Sequence, residues 1–204
     1  MENKLNNNLL IIGAGDYGQI AHEIAEAMEK FDKIDFLDDK SELAIGKVSD
    51  IEKYAGEYSF GIVAIGNPEI RNTLTNRLEE NCYRIPVLVH PKAFVSKYAS
   101  LKRGCIVEPM AVVNSETNVG ECTFISAGAI INHSVLIDSY CHINIGAIVK
   151  ARSVMPMFTK VDEGEVYHGV SVVVDLKSGK DCSDEFRAEY AKMHDREPNH
   201  FDGD

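Results

Sequence analysis

From Val89 onward an aliphatic residue returns at every sixth position: Val89, Val95, Leu101, Val107, Val113, Val119, Ile125, Ile131, Ile137, Ile143 and Val149. Four positions after each stands a small or slender residue, in the order Ala93, Ala99, Cys105, Ala111, Thr117, Thr123, Ala129, Val135, Cys141, Ala147 and Ser153. This period matches neither a helical face nor simple strand alternation; it is the period of a hexapeptide β-helix, in which each repeat makes one short strand and a corner. Three such sides close a triangular coil of about eighteen residues, with the branched side chain inside and the small one near a corner, so that stacked coils share one core. The repeat falters at Met155-Pro156-Met157. There the β-helix is expected to run towards its closure.

The first eighty-five residues follow another pattern. An apolar strand, Leu9 to Ile12, runs directly into Gly13-x-Gly15-x-x-Gly18, and a segment from Tyr17 to Lys30 then carries helical apolar spacing at Ile20, Ile24, Ala27 and Met28. Strand, tight glycine turn and helix N-terminus together form a cradle for phosphate. A second strand, Ile34 to Leu37, ends at Asp38-Asp39, where a dinucleotide enzyme places the acid that holds a ribose. A helix near Ser49 to Tyr54, a strand Phe60 to Ile65, a helix Glu69 to Asn81 and a strand Ile85 to Val89 complete the segment. That is one mononucleotide-sized half of a Rossmann fold, so a nucleotide or nucleotide sugar fits better than a dinucleotide. The candidate substrate-binding residues are Gly13, Gly15, Tyr17 and Gly18 in the turn, and Asp38, Asp39, Gly66, Asn67 and Arg71 just after strand ends, where open α/β sheets bind ligands.

The fold class expected is therefore α/β plus all-β. Residues 1–85 form the Rossmann-like domain, 86–170 the β-helix, and 171–204 a C-terminal extension. The extension opens apolar in "SVVVDL", offers a helix start at Ser183-Asp184-Glu185, and ends acidic.

Composition narrows the partners. A net charge of −11 with no basic stripe argues against nucleic acid, and neither a signal segment nor a membrane-length apolar run is apparent, so a cytoplasmic protein is expected. The five cysteines are odd in number and include no CxxC pair, which indicates free thiols in place of disulfides or zinc. No metal site is expected.

Two histidines, His133 and His142, stand nine residues apart in "IINHSVLIDSYCHINIGA". In an eighteen-residue coil they lie half a circuit apart, so one chain cannot easily bring both to one atom, whereas neighbouring prisms around a threefold axis could. On residues alone, a solvated corner for His133 and a strand edge for His142 remain open readings. The domain order, together with "IINH" and "YCHINIGA", resembles the NeuD and PglD type of sugar acetyltransferase over roughly residues 8 to 170.

What the resemblance implies is a left-handed β-helix acyltransferase, a homotrimer with active sites between subunits. It would transfer acetyl from acetyl-CoA, the co-substrate, to a nucleotide-linked amino sugar or a sialic acid in surface-glycan synthesis. His133 would be the general base and His142 a contact to acetyl-CoA near the thioester, with Gly146 beside it and Ala151, one coil above the base, supplying an N–H to the thioester oxygen. The family usually follows its base with an acidic residue; this chain has Ser134. One coil back from Ser134 lies Glu116, which is expected to reach across and orient His133 in its place. Two other readings stay open: a catalytically silent nucleotide-sugar-binding trimer, and an NAD-linked oxidoreductase using the glycine turn.

Overall fold

The computed structural model describes residues 6–169. Strand β1 (Asn8–Ile12) leads through the glycine turn into helix α1 (Asp16–Ala27); β2 (Lys33–Leu37) and a short β3 (Ala44–Gly46) follow. A 3-10 turn (Val48–Asp50) joins α2 (Ile51–Tyr54), then come β4 (Phe60–Val63) and α3 (Pro68–Glu80). The four strands are parallel in the order β3-β2-β1-β4, and β1 is the central strand because all its apolar residues from Leu9 to Ile12 are buried on both faces of the sheet. The expected strand at Ile85 to Val89 does not add to this sheet. Only Arg84 bridges to Phe60, and Leu88–Val89 is already the first rung of the β-helix. Pro86 explains the break: it has no N–H to donate to a ladder.

Fourteen two-residue strands, β5 to β18, build the prism. Its three faces are parallel ladders. The first stacks β5 (Leu88–Val89), β8 (Ile106–Val107), β11 (Phe124–Ile125), β14 (His142–Ile143) and β17 (Lys160–Val161). The second stacks β6 (Phe94–Val95), β9 (Val112–Val113), β12 (Ile130–Ile131), β15 (Ile148–Val149) and β18 (Val166–Tyr167). The third stacks β7 (Ser100–Leu101), β10 (Asn118–Val119), β13 (Leu136–Ile137) and β16 (Val154–Met155). In every strand the second residue is the one that the six-residue period selects. These residues, with the small ones of the repeat such as Cys105, Ala111, Ala129, Cys141 and Ala147, form a single core along the axis.

The repeat does not falter where the sequence suggested. Met155 is fully buried and pairs in register with Ile137, and the ladder continues through Val161 and Tyr167. An unbranched thioether fills the interior position in place of a branched aliphatic side chain. The C-terminal extension, with its proposed strand and helix, lies outside the described residues.

Corners are as regular as strands. At every sixth residue from Gly104 to Gly164 the backbone enters the left-handed region, with φ between 52° and 74°. Seven of these eleven positions are not glycine: Met110, Glu116, Cys122, Ser134, Tyr140, Arg152 and Phe158. Each costs on the order of 1 kcal/mol relative to glycine, offset by the coil-to-coil bonds that the corner permits, such as Ser134 N–H to Ser115 O at 3.0 Å and Tyr140 N–H to Glu121 O at 2.7 Å. The side chains at these corners therefore stack one coil above another.

No helix among the described residues is long and apolar enough to cross a membrane.

Candidate active site

The outward residues of the three faces differ in character, and that difference places the site. On the first face Leu88, Ile106 and Phe124 pack into the apolar layer beneath α1, against Ala14, Ala21, Ile24 and Ala25. The two domains thus share a core, and the upper end of this face, His142 and Lys160, lies beside Tyr17 and Gly66 of the α/β domain.

The glycine turn is built for that position. Gly13 has φ +101°, and a Cβ on it would lie 2.8 Å from Ile65 Cγ1. A Cβ on Gly18 would lie 2.1 Å from Gly13 O, so only glycine lets α1 start so close to the strand end. Asp38 pins the turn: its Oδ2 accepts from Ala14 N–H at 2.9 Å and its Oδ1 from the N–H groups of Lys40 and Ser41. Those donors, Ala14 first, hold its carboxyl below the usual range. Three N–H groups thus engage Asp38, which gives it a structural part in holding the turn. Asp39 accepts from Val48 N–H, and Asn67 caps α3 by accepting from Ile70 N–H at 2.9 Å.

Tyr17 leaves the turn towards the β-helix. Its ring covers Gly66, where an added Cβ would meet Tyr17 Cε2 at 2.9 Å, and it meets His142 edge-on with centroids 5.3 Å apart. A cavity of about 310 Å³ opens here, lined by Tyr17, Gly66, Pro68 and Arg71 from the α/β domain and by Tyr140, His142, Phe158, Thr159 and Lys160 from the β-helix. Of the residues singled out in the sequence, the structure brings Tyr17, Gly66, Arg71 and His142 together. Tyr140, Phe158, Thr159 and Lys160 were missed. The eighteen-residue stride could have found them: Phe158 stacks one coil above Tyr140, with rings 5.7 Å apart, and Lys160 one coil above His142.

Arg71 is fully buried and is not available as a ligand-binding side chain. Its Nε donates to Cys122 O at 2.9 Å, Nη1 to Ile65 O and Gly66 O, and Nη2 to Tyr140 O and Cys141 O. All five N–H groups are thereby used, and the guanidinium stacks 4.1 Å from the Phe124 ring centre. Burial lowers its pKa to about 10, which leaves it charged at neutral pH. It clamps the Gly66 loop onto two successive corners of the prism.

His142 is buried and neutral. Burial first, then the charges of Arg71 and Lys160, push its pKa down to about 4. Its Nε2 lies 3.2 Å from Ser126 Oγ. Ser126 in turn hydrogen-bonds the buried Glu108, whose carboxyl is pushed up by burial and accepts from Ala127 N–H.

His133 lies elsewhere, exposed in the corner that follows the second face. Its Nδ1 is 3.3 Å from Ser134 Oγ, and Ser134 Oγ donates to Glu116 Oε2 at 2.8 Å. Glu116 therefore reaches His133 through Ser134, a correction to the direct contact expected. Ala151 sits one coil above His133, next to the left-handed Arg152, whose N–H donates to His133 O. Gly146 is itself a left-handed corner with open space where a side chain would be. Among the described residues, no group of three or more histidine, cysteine, aspartate or glutamate side chains could hold a metal ion.

Residues 8–78 match the PglD N-terminal domain family. The chain is 27% identical over 110 residues to UDP-N-acetylbacillosamine N-acetyltransferase of Bacillus subtilis strain 168, covering 49% of this chain and 50% of that protein. It thus spans about half the length of that curated relative. The acetyltransferase domain of PglB from Neisseria gonorrhoeae, solved with acetyl coenzyme A, superimposes with a TM-score of 0.77 at 28% identity, over 80% of this chain and 83% of that one. A perosamine N-acetyltransferase from Caulobacter crescentus, solved with CoA and GDP-perosamine, shares the fold with a TM-score of 0.58 at 17% identity, over 75% and 90%. These matches support the resemblance to the NeuD and PglD type of sugar acetyltransferase.

Two outcomes are expected at the junction. Arg71→Met leaves several buried carbonyls without donors and lowers stability by more than about 3 kcal/mol. Arg71→Lys recovers little of it, because one ammonium cannot span both corners; thermal unfolding of the variants measures both. For His142 the folded pKa lies below the unfolded value near 6.5, so the unfolded chain binds the proton first. The stability that neutral His142 contributes is complete above about pH 6.5 and is lost as pH falls towards about 4. His142→Gln is expected to flatten the fall of the unfolding midpoint across that window; an unchanged slope would refute it.

Proposed function

We propose that this protein is an acetyl-CoA-dependent N-acetyltransferase acting on a nucleotide-linked amino sugar, as a homotrimer with its active sites between subunits. The observation that carries the reading is the single cavity in which the glycine-turn domain, through Tyr17 and Gly66, meets the His142 face of the β-helix. A nucleotide held at the helix N-terminus would extend its sugar towards that cavity. The activity for which the Bacillus relative is named and the acetyl coenzyme A bound to the Neisseria domain point to the same pair of substrates. An amine acceptor is favoured over a hydroxyl by the relative's name. Both substrates are cytoplasmic metabolites, which agrees with a cytoplasmic location.

The trimer reading rests on the second face. Its outward residues Phe94, Val112, Ile130, Ile148 and Val166 form an unbroken apolar ladder, and four of them are 57%, 40%, 38% and 37% exposed (Phe94, Ile130, Ile148 and Val166). A monomer gains nothing from such a stripe, and a closed cyclic assembly covers it. The corner that carries His133 borders this face, so a neighbour packed on the ladder would bring its own His142 side towards His133.

In the reaction His133 Nε2 takes the proton of the sugar amine as its nitrogen attacks the thioester carbonyl. The C–S bond then breaks, and the proton passes to the CoA sulfur. A histidine suits this because its ordinary pKa leaves the imidazole largely neutral at cellular pH. Ala151 N–H, one coil above, would meet the thioester oxygen.

His133→Ala is expected to lower kcat by about 10²- to 10⁴-fold while acetyl-CoA still binds, as read by CoA release with a UDP-linked amino sugar and by calorimetric titration. Binding of the nucleotide sugar with no heat from acetyl-CoA would instead favour a silent nucleotide-sugar binder. Ile148→Asp is expected to convert the trimer to monomer in light scattering and to abolish turnover; full activity from a monomer would overturn the intersubunit site.

A further inference from the structure

We propose that Ser134 and Glu116 form a two-step relay that fixes the tautomer of His133, with Ser134 as the obligatory link. The inference rests on the acetyltransferase reading for its kinetic consequence, but its structural part stands without it.

The geometry orders the protons. A serine hydroxyl has one proton and two lone pairs, and the 2.8 Å bond assigns that proton to the Glu116 carboxylate, which can only accept. Ser134 Oγ is then left with lone pairs facing His133 Nδ1 at 3.3 Å, so the ring must present Nδ1–H to it. Nε2 is left as the unprotonated nitrogen and points away from the relay. When Nε2 takes the acceptor's proton, the new positive charge is felt through Nδ1–H, the serine hydroxyl and the carboxylate in line.

The backbone explains why the relay uses these positions. Glu116 and Ser134 are left-handed corner residues with φ 59° and 57°, exactly one coil apart in a stack whose next member is Arg152. Ser134 N–H bonds Ser115 O, and Glu116 N–H bonds Tyr98 O, so both corners are held independently of their side chains. The His133 backbone is held too, by Asn132 Oδ1 below its N–H at 2.8 Å and by Arg152 N–H on its carbonyl. What remains free is the rotation and protonation of the imidazole. Among the described residues, Ser134 is the side chain that hydrogen-bonds the ring. A carboxylate in the coil below therefore acts on the imidazole through one hydroxyl.

The test combines kinetics with a readout that does not need activity. In full-length protein labelled with 15N-histidine, with His133→Gln to assign the signal, His133 above its titration should show the Nδ1–H tautomer. Ser134→Ala and Glu116→Gln should each shift it towards the Nε2–H form that solvated imidazole favours. Turnover should fall about tenfold or more in each variant, with KM for both substrates little changed and the acid limb of the pH–rate profile moved to lower pH. The double variant should lose no more than either single one, and Ser134→Asp in the Glu116→Gln background should restore much of the rate. An unchanged tautomer in both single variants overturns the relay, as do additive losses in the double variant. A wild-type protein that shows the tautomer shift on substitution but no acetyl transfer sinks the functional reading and leaves the relay standing.

Discussion

Each rung of this β-helix is hydrogen-bonded to the rung eighteen residues away, and that registration governs everything else in the chain. Because the second residue of every strand must fill the axis, the first residue must point out, and the same face is revisited once per coil. The three outward ladders are then free to evolve separately. One packs on the α/β domain through Leu88, Ile106 and Phe124; one exposes Phe94, Ile130, Ile148 and Val166; the third carries Ser100 and Asn118 at its lower end. A side chain's role follows from its face and its height in the stack more than from its neighbours in sequence.

Registration of the helix alone would not place the glycine turn against it. That is the work of Arg71, a buried cation with carbonyl oxygens and no carboxylate around it. Carbonyls suit the position because they are already present at two successive corners and in the Gly66 loop, and a planar guanidinium can reach all three at once. A carboxylate there would have required a further buried charge. The arrangement also explains the neutral His142: with an uncompensated cation close by, protonating a second buried group is costly, and the imidazole is kept uncharged where a ligand would meet it.

The prism was legible in the sequence because an axis of fixed width accepts aliphatic side chains at one spacing only, and a wrong residue there would open a cavity. The glycine turn was legible for a similar reason, since Gly13 and Gly18 have no room for a side chain. Three features were not. Met155 concealed the continuation of the repeat because its side chain fills space without being branched. Arg71 stands where ligand-binding residues stand, and only its tertiary partners reveal that its donors are spent, while those of Asp38 reveal a structural part in the turn. Left-handed corners escaped notice because seven of eleven are built from side chains that seldom adopt that conformation, with the cost carried by inter-coil bonds.

Charge illustrates how far whole-chain numbers fall short of a site. The chain carries a net −11, which would repel an anionic nucleotide or CoA at long range. Yet the cavity at the domain junction is lined by Arg71 and Lys160, and Glu108, linked to His142 through Ser126, is buried with a raised pKa. Salt screens the long-range repulsion within about 8 Å at physiological ionic strength, whereas the buried guanidinium acts through a medium that screens poorly. Lys160 is already paired with Asp162 at 2.9 Å, so a ligand phosphate at the junction would depend on the buried guanidinium and the N–H groups at the start of α1. The excess of acidic residues disfavours long polyanions, which must contact a broad surface, more than a small anion that needs only one well-placed pocket.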